Sequence, residues 1–210
     1  MKPPATLPRE IAAHRSVRRA LPALLVLLAL AFAVLTVPAT ALEFRDIFGN
    51  EQRPLEKSTA RADVILFILH DCPIANAFAP EINRLAAEFQ PRGVRFFVVH
   101  TDPGLALADA QQHAKDFAYR CPVLLDPEHR LVTRLKATIT PEAFVVTAAG
   151  TTAYRGRIDD RFVELGKRRP EPTRRDLRLA LESILADQPV TEPVTKAIGC
   201  FISTPKRPTP

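Results

Sequence analysis

The stretch "DVILFILHDCPIANAFAPEI", residues 63–82, decides how the chain is read. Its first seven residues are almost wholly apolar and rich in β-branched side chains, the composition of a strand buried on both faces of a sheet. Beyond them the period changes. Ile74, Phe78, Ile82, Leu85 and Phe89 recur at spacings of four, four, three and four, which is one face of a helix. Pro73 suits the first helical position, where no N–H is needed, and Pro80 predicts a kink. Cys72 stands at the turn between the two elements.

Strands and helices alternate onward from this unit. "VRFFVVH" (94–100) predicts a second strand, "ALADAQQHAKDFAYR" a second helix, "PVLLD" (122–126) a short strand and "HRLVTRLKA" a short helix. "TITPEAFVVTAAGTTAYRGRIDD" reads as two strands joined by a turn at Ala149-Gly150. "GKRRPEPTRR" reads as a solvated loop, and "RDLRLALESILAD" (175–187) as an amphipathic helix with Leu177, Leu181, Ile184 and Leu185 on one face. The order predicts an α/β protein, with a central mixed sheet flanked by helices and closed by an antiparallel hairpin.

Length and charge bound the rest. The 210 residues suffice for one domain with a full core. Residues 1–41 begin with a basic stretch, continue with "ALPALLVLLALAFAVLTV" and end in "ATA", the form of a targeting segment. The apolar run also reaches the lower limit for spanning a bilayer, so the segment is either a cleaved signal peptide or an N-terminal membrane anchor through residues 20–37. Basic residues ahead of it leave the domain outside the cytoplasm, periplasmic or secreted. The domain is expected over 42–190, followed by an extended Pro-rich tail, 191–210, that carries Cys200.

Net charge is +6, but five basic residues and one acidic residue fall in 1–41, leaving +2 for the remainder. That excludes nucleic-acid binding as a reading of the charge. No nucleotide, flavin or haem motif is visible, so a cofactor-free site is expected.

Three cysteines remain for chemistry: Cys72, Cys121 and Cys200. At a strand-to-helix turn Cys72 lies near unpaired backbone N–H groups and the positive end of the helix dipole, which favour the reactive thiolate. His70 would reinforce that if protonated, while Asp71 would oppose it. Ala75 occupies the position where a neighbouring resolving thiol would stand. Cys200 can fill that role from the tail: Cys72 is oxidised to a sulfenic acid or mixed disulfide and Cys200 condenses with it. Gly199 permits close backbone approach. Cys121, whose setting reads as structural, is the rival partner.

Cys72 followed eight residues on by Pro80 resembles the thioredoxin active-site helix, and "TPEAF" the loop whose cis-proline faces that cysteine. "YRGRIDD" and "LRLALESILADQPVTEPVTKAIGC" are similar to the far end of the bacterial peroxiredoxin-like or thioredoxin-like (redoxin, AhpC/TSA-type) proteins. The likeness runs from about residue 43 to 202. It implies a thioredoxin-like fold, Pro141 as the cis residue beside Cys72, and a thiol oxidoreductase. Its substrate would be a peroxide or a thiol/disulfide protein, and a thioredoxin-like protein would donate the electrons. The chain departs from true peroxiredoxins, which have Pro and Thr seven and three residues before the cysteine, where this chain has Ile65 and Leu69. Leucine offers peroxide no hydrogen bond.

Two other readings stand beside this one. A copper-handling protein would use Cys72 with His70 and His100. A non-catalytic module would hold a partner on the cis-proline face. His100, His113 and His129 otherwise read as surface or edge residues. Asp159 and Asp160 read as the end of a strand, pairing with Arg155 or Arg157.

Overall fold

The computed structural model describes residues 42–203. The targeting segment expected in 1–41 lies outside the described residues. A short ribbon of β1 (Phe44–Arg45) and β2 (Glu51–Gln52) precedes the central strand β3 (Ala62–Ile68). After β3 come α1 (Pro73–Ala77), α2 (Ala79–Phe89) and a single 3-10 turn, then β4 (Val94–His100) and α3 (Leu107–Asp116). The chain continues through β5 (Val123–Leu125), α4 (Arg130–Leu135), β6 (Ile139–Thr140), β7 (Glu142–Thr147) and β8 (Thr152–Gly156). It closes with β9 (Phe162–Glu164), β10 (Lys167–Arg168), α5 (Asp176–Leu185) and β11 (Cys200–Phe201).

The main sheet has the order β5-β4-β3-β7-β8. β3 and β5 run parallel to β4, whereas β7 is antiparallel to both β3 and β8. Parallel neighbours require helical crossovers and the β7–β8 pair needs only a turn. This mixed sheet with helices on both faces is the thioredoxin-like fold.

All seven residues of β3 are buried, and their alternation sorts the core into two layers. Val64, Leu66 and Ile68 face α2 and α5, packing with Ile82, Leu85, Phe89, Leu177 and Leu181. Ile65 and Phe67 face the opposite side with Phe97, Val99, Leu131 and Phe144. Phe67 meets Phe144 edge to face, with ring centroids 5.6 Å apart at 85°, the geometry favoured by aromatic quadrupoles.

Local chemistry fixes the helix ends that matter. Pro80 has no N–H to offer the carbonyl of Asn76, so the helix breaks at Phe78 and resumes at Ala79 as α2. Buried Asp126 accepts hydrogen bonds from the backbone N–H groups of Arg130, Leu131 and Val132, which satisfies the donors left open at the start of α4.

Three expectations need correction. The segment after β8 is not all loop, because β9 and β10 pair across a turn at Gly166. Strands of three and two residues are too short to leave a period in the sequence. Asp159 and Asp160 do not pair with Arg155 or Arg157. Asp159 bonds Arg161, and Asp160 accepts from Thr173 and the backbone of Arg174. Arg155 instead meets Glu142, and Arg157 meets Asp176. Finally, His100, His113 and His129 are all buried.

The tail turns back along the domain. The Thr195 N–H donates to the Arg155 carbonyl, and the Arg155 N–H donates to the carbonyl of Pro193. The Tyr154 hydroxyl lies 2.6 Å from both the Arg157 carbonyl and Thr195 Oγ1. Gly156 has φ +143°, and a Cβ there would come within 2.2 Å of Thr195 Oγ1, so no side chain fits beneath the tail. We expect Tyr154→Phe to leave the Arg157 carbonyl and the Thr195 hydroxyl without this part-buried partner and to lower stability by about 1–3 kcal/mol. Urea unfolding checks this, as a lower midpoint at unchanged slope; an unchanged midpoint would mean that the hydroxyl does not anchor the tail.

Candidate redox site

Cys72 caps the amino end of α1 with extended backbone angles (φ −80°, ψ 109°), and Pro73 follows as the first helical residue. Its side chain makes no capping bond to the helix. The thiol is aimed instead at the carbonyl oxygen of Thr140, 3.5 Å away. Thr140 immediately precedes Pro141, and the peptide bond between them is cis. The proline expected from the sequence beside Cys72 is therefore the cis residue, and its neighbour's carbonyl touches the sulfur.

The tail completes the arrangement. β11 pairs antiparallel with β6, with Cys200 opposite Thr140 and Phe201 opposite Ile139. The Thr140 hydroxyl donates to the Cys200 carbonyl at 3.4 Å, and the Ile202 N–H to the Thr138 carbonyl at 3.1 Å. This pairing needs Gly199. A Cβ at that position would lie 1.9 Å from the Thr140 oxygen and 3.1 Å from Pro141 Cδ. Residues 128 apart in sequence thereby meet: Cys200 Sγ donates to Cys72 Sγ across 2.8 Å. A shift of less than about 1 Å separates this contact from disulfide bonding distance.

The three cysteines differ in environment. Cys72 is 1 % exposed, and Cys200 is half-buried above it. Burial first, then the hydrogen bond to Cys72 and the charges of Cys72 and Asp71, push the Cys200 thiol up to about 12. Cys121 is buried beside β5, where desolvation pushes its thiol up to about 12. Among the described residues no disulfide joins Cys121 to either of the other cysteines.

The histidines do not converge on Cys72. His70 Nδ1 lies 3.3 Å from Asp102 Oδ2, and His100 Nδ1 lies 3.9 Å from the same oxygen. His113 Nε2 donates to Asn76 Oδ1 at 2.9 Å, while Asn76 Nδ2 donates to the His70 carbonyl at 3.0 Å. Burial, with the charges of His100 and His70, pulls the His113 ring down to about 4, so it is neutral. His129 donates through Nε2 to the Thr101 carbonyl at 2.8 Å.

Sequence reasoning missed Thr140, Asn76 and Asp102. Thr140 carried one signal, its place just before Pro141; the other two carried none.

A model of the AhpC/TSA family matches residues 37–155, more than half of the chain. The chain belongs to the AhpC/TSA family. The family match spans Cys72 and Pro141 and stops before the tail that carries Cys200. No curated protein matches the chain. Among solved structures, an uncharacterized conserved protein from Geobacillus kaustophilus is similar over 82% of this chain and 92% of its own, at 25% identity and a TM-score of 0.68. A hypothetical protein from Sinorhizobium meliloti 1021 covers 78% and 91% respectively, at 24% identity and a TM-score of 0.69. MTB dsbF, solved in mixed oxidized and reduced forms, shares the fold at 18% identity and a TM-score of 0.51, over 71% of this chain and 99% of its own.

The cysteine environments predict a pH signature. A raised thiol pKa keeps the thiolate scarce until pH climbs toward that value, and only the thiolate alkylates. Cys121 should therefore resist iodoacetamide in the native chain at about pH 9 and react once unfolded. Cys200 should alkylate faster in Cys72→Ala, which removes two of the causes that raise it. Peptide mapping after timed labelling reads both; native labelling of Cys121 would contradict the assignment.

Proposed function

We propose that this AhpC/TSA-family chain is an exported thiol oxidoreductase with Cys72 as nucleophile, Cys200 as resolving thiol and Pro141 shaping the substrate face. The observation that carries this reading is the 2.8 Å separation of the Cys72 and Cys200 sulfurs beside the cis Thr140–Pro141 bond. Ala75 leaves the helix without a resolving thiol, and the tail delivers one from another direction.

The favoured substrate class is a hydroperoxide. Cys72 is almost fully covered, and the strand edge at Thr140 is already paired with β11. A small oxidant needs far less opening to reach the sulfur than a protein disulfide, which would have to displace that pairing first. The Cys72 thiolate attacks one peroxide oxygen and the O–O bond breaks. The sulfur gives up two electrons and becomes a sulfenic acid, while the other oxygen leaves as alcohol or water after taking a proton. Cys200 then attacks the Cys72 sulfur, the S–O bond breaks and water departs, leaving a Cys72–Cys200 disulfide. A thioredoxin-like dithiol donor returns both thiols by exchange. With Leu69 offering peroxide no hydrogen bond, turnover should be slow.

The targeting segment read in residues 1–41 puts this chemistry outside the cytoplasm, where disulfides persist. Whether soluble or tethered through residues 20–37, the domain would meet its donor there.

Stoichiometric peroxide on the reduced full-length chain tests the cycle. Intact mass should fall by the two hydrogens of one disulfide, and mapping should find it between Cys72 and Cys200. Cys200→Ser should stop at a Cys72 sulfenic acid that dimedone traps, and Cys72→Ser should not consume peroxide. A disulfide that involves Cys121, or a Cys72 that stays reduced, would overturn the reading.

A further inference from the structure

A second cluster of donor groups lies at the carboxyl end of the sheet, formed by the two residues before Cys72 and by Asp102 beyond the neighbouring strand. Its placement follows from the strand register. β3 and β4 are parallel, with Ile68 opposite His100. Two residues beyond that pair, His70 leaves β3 and Asp102 leaves β4, so their side chains come face to face. His70 Nδ1 stands 3.3 Å from Asp102 Oδ2, and the His70 N–H donates to the same oxygen at 3.1 Å. Asp71 follows His70 directly. One ligand atom from each of His70, Asp71 and Asp102 falls within 4.8 Å of the others.

A plain ion pair between His70 and Asp102 accounts for part of this geometry. It does not account for His100. That ring is fully buried, and neither nitrogen has a hydrogen-bond partner. Buried polar atoms are paired in the great majority of cases, so an imidazole with both nitrogens idle demands a reason. Its Nδ1 faces one member of the cluster, 3.9 Å from Asp102 Oδ2.

We propose that His70, Asp102 and Asp71 bind a divalent transition-metal ion of the zinc type, with buried His100 as a further nitrogen donor beside Asp102. Metal–nitrogen and metal–oxygen bonds of about 2.0–2.2 Å at tetrahedral angles put neighbouring ligand atoms roughly 3.3–3.6 Å apart. The His70–Asp102 separation already matches that spacing, while His100, whose Nδ1 lies 3.9 Å from Asp102 Oδ2, would have to move in to join them. Imidazole and carboxylate donors suit zinc, cobalt or nickel better than Cu(I), which selects thiolates. The Cys72 sulfur is committed elsewhere, to Thr140 and Cys200. This site therefore does not depend on the redox reading of the cysteines. His70, with 43% of its side chain exposed, gives the ion a path from solvent.

Co2+ titration of the reduced full-length chain tests the site, because its visible d–d bands report coordination and thiolate ligands add an intense charge-transfer band. The expected result is saturable binding of one Co2+ without the thiolate band, retained in the Cys72→Ser/Cys200→Ser variant and displaced by Zn2+. His70→Ala, at a half-exposed position, and Asp102→Asn should each weaken it by about tenfold or more. Absence of saturable binding would overturn the proposal. So would a spectrum that vanishes with the two cysteines, or an affinity that His70→Ala leaves unchanged.

Discussion

The ladder that holds β3 between β4 and β7 is the constraint from which the rest of the molecule follows. Every residue of β3 is buried, and it is bonded on both edges, in parallel to β4 and antiparallel to β7. The parallel edge sends the ends of β3 and β4 out together, which puts His70 beside Asp102. The antiparallel edge brings the start of β7 to the end of β3, with Phe67 opposite Glu142. The residues just outside that last pair are the chain to Cys72 on one strand and the cis Thr140–Pro141 bond on the other. A slip of one residue in this register would turn every β3 side chain to the wrong layer and part both clusters at once.

What distinguishes this chain is the use made of the strand edge beside the cis bond. Thr140 has an open backbone edge once β7 departs, and exposed edges invite pairing. Here the chain's own tail takes that edge, anchored upstream by Thr195 against Arg155 and Tyr154, and Gly199 supplies the close approach. Cys200 arrives at Cys72 as a consequence of backbone pairing, and burial and its neighbour raise its thiol pKa. The same cover that brings the second sulfur also shields the first, and on the proposed reading this favours small reactants at Cys72. Cys121, equally hard to ionise, sits in the core beside β5 with neither the geometry nor the access.

Much of this was legible in the sequence where local patterns decide. The apolar run of β3, the helical spacing through Phe89 and the break imposed by Pro80 are properties of short segments, and they appear in place. The position of Cys72 at a strand end could be read in the same way, whereas Pro141 came from the resemblance of "TPEAF" to a cis-proline loop. Cys200 was legible only as a thiol in search of a partner, because the meeting with Cys72 depends on a tail path fixed by Tyr154, Gly156 and Gly199. The histidines misled for a related reason. Nothing near His100 or His113 in sequence shows that α3 presses His113 against β4, burying both rings at 4.9 Å between centroids. Arginine partners were equally opaque, since Arg157 reaches Asp176 across an intervening ribbon.

The most direct test of the account is a redox titration of the full-length chain in dithiothreitol buffers, quenched by acid and read cysteine by cysteine through differential alkylation. The account predicts one two-electron transition in which Cys72 and Cys200 change together and Cys121 remains reduced throughout. A transition in which Cys121 changes with either of the others, or in which Cys72 and Cys200 oxidise independently, would contradict it.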